Sequence, residues 1–473
     1  MYAAVAARKM TLASCLLLAS LLIQAQNPKI RVYFNRTVNH NVKTTTPAVY
    51  LPNTMADTIA SYISKAKVSV DIAQYDYSAS SSGSAMAVIA NACNAAKANG
   101  VVVRWIYDGS QPNSGLALLN SGISKLASPV ISGYIMHDKF VVIDVNSTTS
   151  LPYLITGSND WGVTQTDSCY NNLVVIQDKN MANVYYQEFN QMWGGTGATP
   201  VSANSKFGTA KVHNTTHSFN VNGTTVEVYF SPKDSADTHL MNAINTVNNE
   251  LFFGIYTFTS STIANLIKAK YTSGISTFGI MDSYSKTATP NTAYTTLSAA
   301  LGNNMKIFTG ATSYVVYHNK TMLIDPLTPS SDPQVFTGSY NWTGAGANAN
   351  DENSIIIHDA NITNQYYQSF CQNFTDVGGA ACPNIATGVA ELGNTDPDFT
   401  LYPNPFQDQL TLKLKDNADK IRVRIYDGMG KMVIEQQGSD THEMIVALPE
   451  LAKGIYFASI QADGNSYFQK LIR

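Results

Sequence analysis

Two stretches decide how this chain is read: HDKFVVID, His137–Asp144, and HNKTMLID, His318–Asp325. Each sets a histidine and a lysine two residues apart, then an apolar run closed by an aspartate. One such stretch is weak information, because short motifs recur by chance on buried strands. The second copy lies 181 residues downstream, and that offset then holds without a gap. Thr156-Gly157-Ser158 matches Thr337-Gly338-Ser339, Trp161 matches Trp342, and Asn172 matches Asn353. YYQEF from Tyr185 matches YYQSF from Tyr366. A register this long means two copies of one structural unit.

Upstream the copies are looser but keep their order. IRVYFN at Ile30 resembles VEVYFS at Val226. VSVDIAQYDYS from Val68 and ELFFGIYTFTS from Glu250 read as strands, from their alternation and β-branched residues. Each leads into a helical pattern ending at a glycine suited to a C-cap, Gly100 and Gly274. Strands closing on Asp108 and Asp282 follow, then the His-x-Lys strand, the Thr-Gly-Ser strand, NLVVI or NSIII, and a closing helix. The expected fold is α/β, in two similar halves packed about a pseudo-twofold axis, where equivalent groups meet.

Strand alternation puts His137 and Lys139 on one face and Asp144 on the other; the same holds for His318, Lys320 and Asp325. The two aspartates are therefore expected to hold nearby backbone or basic groups. Two histidines, two lysines and the hydroxyls of Ser158 and Ser339 suit a phosphate anion, with charge and hydrogen bonds at its oxygens. One imidazole can attack phosphorus while the other protonates the leaving oxygen. Such a site needs no cofactor, and no carboxylate cluster suggests a metal. His40, His213, His217, His239, His358 and His442 lack a partner motif and read as surface or core residues.

At these residues the chain resembles the phospholipase D superfamily, whose hallmark is HxKx4D followed by GSxN, present twice. The resemblance covers roughly Lys29 to Gly379 and implies phospholipase D-like halves. It implies a phosphohistidine on one histidine, with the other as general acid and then base; family analogy favours His137 as nucleophile. It gives phosphate binding to Lys139, Lys320, Ser158, Ser339 and Asn341, and an orienting role to Glu352. The first half departs from the pattern, with Asp160 in place of asparagine and Asn171 in place of Glu352. Asp160 is read as the orienting carboxylate that this half otherwise lacks.

The rest of the 473 residues frames this site. Arg8 and Lys9, an apolar run and Ala25 read as a signal peptide over residues 1–25. Its removal leaves 28 basic against 33 acidic residues, a balance that attracts neither nucleic acid nor anionic membrane globally. Of the remaining cysteines, Cys371 and Cys382 are the nearest pair, while Cys93 and Cys169 read equally as a disulfide or as small buried hydrophobes. The halves are placed at 26–200 and 201–380, a linker at 381–397, and a small all-β sandwich at 398–473, from its alternation and turn signals. That tail, with YPNP (Tyr402–Pro405), LAKGIYF (Leu451–Phe457) and Lys470, resembles the C-terminal sorting domain of the type IX secretion system of Bacteroidetes. The resemblance implies the secretion machinery as a partner and a secreted or outer-surface location. The expected function is metal-independent hydrolysis of a phospholipid to phosphatidate and head group, by a monomer with no stable protein partner. A nuclease is the alternative, and an inactive surface-binding protein the second.

Overall fold

The computed structural model describes residues 27–473 except 80, 82, 381, 383–398, 429–430 and 464. The expected signal peptide and, apart from Cys382, the expected linker lie outside the described residues. Two compact units result, one holding both α/β halves and the other the C-terminal strands.

Each half is built on an eight-stranded sheet. In the first, the order is Val49–Tyr50, Ile30–Phe34, Asn172–Ile176, Tyr153–Gly157, Lys139–Ile143, Ser69–Gln74, Val102–Tyr107 and Ser124–Ala127. In the second, it is Ser218–Val221, Thr224–Ser231, Glu352–His358, Gln334–Gly338, Lys320–Ile324, Glu250–Ile255, Ser276–Asp282 and Met305–Phe308. The repeated strands thus take the same places in both sheets. The His-x-Lys strands are central and buried throughout, which suits the apolar runs Phe140–Ile143 and Met322–Ile324 that follow their lysines.

The closing helices join the halves. Asp178 caps Lys179–Trp193 by accepting the Asn180 and Met181 N–H groups, and Gly194, at φ 81°, ends it. Asp359 caps Ala360–Asp376 in the same way. From these helices the repeated tyrosines reach across. Tyr185 packs edge-on against Phe140 of its own sheet and Phe230 of the other half. Tyr366 packs on Phe34 of the first half. Buried aromatics from both halves therefore share one core, while the first half packs a second core from its own residues.

Glycine is required where the Thr-Gly-Ser strands end. Gly157 and Gly338 both have φ 144°, and a Cβ there would collide with the carbonyl oxygens of Asn172 and Asn353. This close approach brings the following serines against the neighbouring strand. Cys371 and Cys382 form a disulfide, and Cys93 and Cys169 are free and buried. The C-terminal unit is all-β, with antiparallel sheets of three and four strands sharing one buried core. No helix among the described residues is long and apolar enough to cross a membrane.

Candidate active site

Each histidine is held by backbone from the other half. The His137 N–H donates to the Asp351 carbonyl at 2.9 Å, and the Asp351 N–H to Ile135 at 3.1 Å. The His318 N–H donates to Tyr170 at 3.0 Å, and the Tyr170 N–H to Val316 at 3.1 Å. Asp351 and Tyr170 obey the same sequence offset as the histidines, so the pairing is twofold-related. The strand-end aspartates fix the approach: Asp108 accepts the Met136 N–H at 2.7 Å and Asp282 the Tyr317 N–H at 2.8 Å.

The side-chain partners then break the symmetry. His137 Nδ1 lies 2.7 Å from Glu352 Oε2. His318 Nδ1 lies 2.9 Å from the Ser158 carbonyl and 3.1 Å from Asn171 Oδ1. Both partners of His318 are acceptors, so its Nδ1 carries the proton and its Nε2 is the reactive nitrogen. Glu352 and Asn171 occupy equivalent positions, one a carboxylate and one a neutral amide.

This geometry corrects the expectation for the serines. Ser158 Oγ donates to Asn171 Oδ1 at 2.8 Å and accepts the Asn172 N–H at 3.1 Å. Ser339 Oγ donates to Glu352 Oε2 at 2.7 Å and accepts the Asn353 N–H at 3.0 Å. Both are fully buried and already engaged, because the tight glycine carries them under the next strand. They position the groups that orient the histidines; they do not face a ligand.

Lys139 and Lys320 lie buried beneath the histidines. Each Nζ bonds the carbonyl of the histidine two residues before it, at 3.1 and 2.7 Å. Each also sits over a tyrosine ring, Tyr75 at 4.9 Å and Tyr256 at 5.3 Å. These tyrosines edge against His137 and His318. Burial, and then the neighbouring Lys139 charge, holds Lys320 well below the usual ammonium range. Burial and the nearby ammonium groups likewise hold both imidazoles well below theirs. Burial pushes the Glu352 carboxyl up to about 8.

Asp144 and Asp325 point away from this cluster. Asp144 accepts the N–H groups of Lys67, Val68 and Ser69 at 2.7–3.1 Å. Asp325 does the same for Asn248, Asn249 and Glu250 at 2.7–3.0 Å. Asp160 requires a correction. It does not orient a histidine through Nδ1, since Ser158 and Asn171 already fill that side of His318. Its carboxylate lies 3.5 Å from His318 Nε2 and 3.0 Å from Lys139 Nζ.

A cavity of about 900 Å³ opens over both imidazoles. Asp76, Asp160, Asn341 and four tyrosines line it, and its described lining includes no arginine or lysine. Asn341 turns its amide oxygen onto the Thr257 N–H at 3.2 Å. Among the described residues, His213, His217 and Asp234 form the one group with metal-ligand types close together, within 4.8 Å. The His217 ring is tilted against His213 and stacks on Tyr229, and its Nδ1 faces the Val228 carbonyl at 2.8 Å. The His213 and His217 Nδ1 atoms lie 2.6 and 3.8 Å from the Asp234 carboxylate, and none of the three residues lines the cavity.

Sequence reasoning overlooked Tyr75 and Tyr256, although they too obey the offset of the histidines. It also overlooked the buried charges behind the site. Lys211 pairs with Glu188 and, at 2.9 Å, with Asp351. Burial raises the Asp138 carboxyl well above its usual range. No spacing signal in the chain marks Lys211.

Residues 59–193 and 240–374 each match the family described as "Cardiolipin synthase, PLD-like domain". Residues 400–473 match "Secretion system C-terminal sorting domain". A mitochondrial cardiolipin hydrolase of Xenopus tropicalis is 34% identical over 20% of this chain and 43% of its own. An ulvan lyase of Nonlabens ulvanivorans is 28% identical over 26% of this chain and 20% of its own. The chain thus spans less than half the length of either curated relative. The phosphatidylserine synthase of Haemophilus influenzae superposes with a TM-score of 0.49 at 12% identity, over 70% of this chain and 86% of that one.

Proposed function

This chain belongs to the family of phospholipase D-like domains, and we propose that it is an exported phosphodiesterase that hydrolyses a phospholipid to phosphatidate and free head group. The observation that carries the reading is the pair of imidazoles over one cavity, each held through its Nδ1 side and backed by a buried lysine.

His137 Nε2 attacks phosphorus, forming a P–N bond as the P–O bond to the head group breaks. His318, which takes a proton on Nε2 as the anionic phosphodiester binds beside it, gives that proton to the departing oxygen while Nδ1–H stays bonded to the Ser158 carbonyl. Water then attacks the phosphohistidine; His318 takes a proton from it, and the P–N bond breaks to release phosphatidate. The broken symmetry supports His137 as the nucleophile. Phosphorylation puts positive charge on the ring, and the Glu352 carboxylate stands beside His137, while His318 meets only neutral oxygens through Nδ1. Lys139 and Lys320 supply N–H donors beneath the phosphoryl oxygens.

The cavity lining supports the reading of a lipid substrate over nucleic acid. A polyanion is gripped by basic side chains along its length. Here the lining carries two aspartates, and the mouth presents Val163, Tyr284 and Tyr314, exposed by 46, 53 and 76%. Such side chains suit an acyl or glycerol surface. The C-terminal unit, by its family match, is proposed to engage a type IX export machinery.

The experiment compares phosphatidylcholine vesicles with plasmid DNA, using the protein without its leader, with and without excess EDTA. Release of head group that survives EDTA supports the reading. Cleavage of DNA alone transfers it to a nuclease. His137→Ala or His318→Ala retaining a near-normal rate removes the two-histidine scheme.

A further inference from the structure

The cavity rim is chemically lopsided. Asp76 and Asp160 stand in the first half where Thr257 and Asn341 stand at the same offset in the second. Asp160 is 5% exposed, and its carboxylate reaches Lys139 Nζ at 3.0 Å and His318 Nε2 at 3.5 Å. These are the groups that a phosphoryl oxygen would meet. The Asp160 oxygen nearest Lys139 has no well-aligned hydrogen bond, so proximity of charge holds it there and no fixed donor does. The second half shows that this place does not demand an acid: Asn341 fills it, bonded to the Thr257 N–H.

A carboxylate and a phosphoryl oxygen cannot share one cationic cradle, and their repulsion is strong where water is scarce. We propose that Asp160 is a tethered anion that occupies the phosphate cradle of the empty protein and biases it against doubly charged phosphates. The proposal rests on reading the His–Lys cradle as a phosphate site. A diester bears one negative charge and displaces Asp160 against modest repulsion. A monoester acquires its second charge near pH 6 and meets about twice the repulsion at neutral pH. Asp160 therefore helps expel the monoester product and spares the site from free phosphate, at some loss of diester affinity. Asp76, also in the cavity wall, adds to the same field; burial raises its own carboxyl, as does Asp160 beside it.

The test is a phosphorus NMR titration at pH 8 of wild type and Asp160→Asn with inorganic phosphate and, separately, with dimethyl phosphate. The variant is expected to bind inorganic phosphate at least about tenfold more tightly and dimethyl phosphate within about threefold of wild type. Circular dichroism and melting confirm the fold; should the asparagine variant not fold, Asp160→Ser carries the same expectation. Unchanged phosphate affinity in a folded variant, or equal tightening toward both anions, overturns the proposal. If neither anion binds wild type or any variant, the phosphate-site reading itself fails, and this proposal with it.

Discussion

Replacing Glu352 with glutamine tests the asymmetry of the site directly. The substitution keeps the shape, and an oxygen that still accepts the Nδ1–H of His137 and the hydroxyl of Ser339. It removes the charge, together with the Oε1 acceptor to which Asn350 Nδ2 donates at 3.1 Å. Glu352 is fully buried, 2.7 Å from the ring nitrogen, so solvent does not screen the pair. Between a carboxylate and a charged imidazole about 4 Å apart, centre to centre, the interaction is about 4 kcal/mol at an effective dielectric constant of about 20. If that charge on the ring develops only on phosphorylation, the whole amount enters the barrier. At about 1.4 kcal/mol per decade, turnover should fall by about a thousandfold. The assay is head-group release from vesicles in EDTA under saturating substrate, at a pH above the value of about 8 at which the Glu352 carboxyl ionises, with KM measured alongside. A kcat within about tenfold of wild type would show that the carboxylate does not stabilise the phosphorylated ring. The same variant has a pH signature. The folded carboxyl, at about 8, lies above its ordinary value near 4.5. Its contribution to stability is therefore fully present below about 4.5 and is lost as pH rises through about 8. Glutamine lacks this loss. The melting temperature of Glu352→Gln relative to wild type should rise steadily between those limits, and a flat difference refutes the shifted carboxyl.

The remaining predictions are smaller. Asn171→Ala should lower kcat by no more than about tenfold, since the Ser158 carbonyl still holds His318 and one neutral hydrogen bond is worth about 1 kcal/mol; a loss as deep as that of Glu352→Gln would remove the distinction between the histidines. Asp144→Ala orphans three backbone N–H groups and should cost about 3–5 kcal/mol of stability in denaturant titration, while any residual folded fraction keeps its KM. Deleting residues 399–473 should leave turnover of the purified protein intact and abolish export, and arrival of the truncated chain in the medium would refute the sorting role.

Much of the architecture was legible in the chain because strand and helix periods are local. Two copies of HxKx4D and Thr-Gly-Ser at one offset sufficed for the double α/β fold, and alternation along Lys139–Ile143 put Asp144 and His137 on opposite faces. Family resemblance supplied Glu352 as an orienting group. Tertiary structure alone decided which atoms meet. His137 and Glu352 are 215 residues apart, and no period in the sequence reports a contact made across the axis. The serines looked like phosphate ligands until the glycine before each was seen to carry it beneath the next strand. Asp160 looked like an orienting acid until the Ser158 carbonyl and Asn171 were found on that side of His318, leaving it only the reactive face. Sequence periodicity fixes the face from which a side chain projects. What waits on that face is set by chain brought from the other half, and there a carboxylate can become either a support for catalysis or a rival to the substrate.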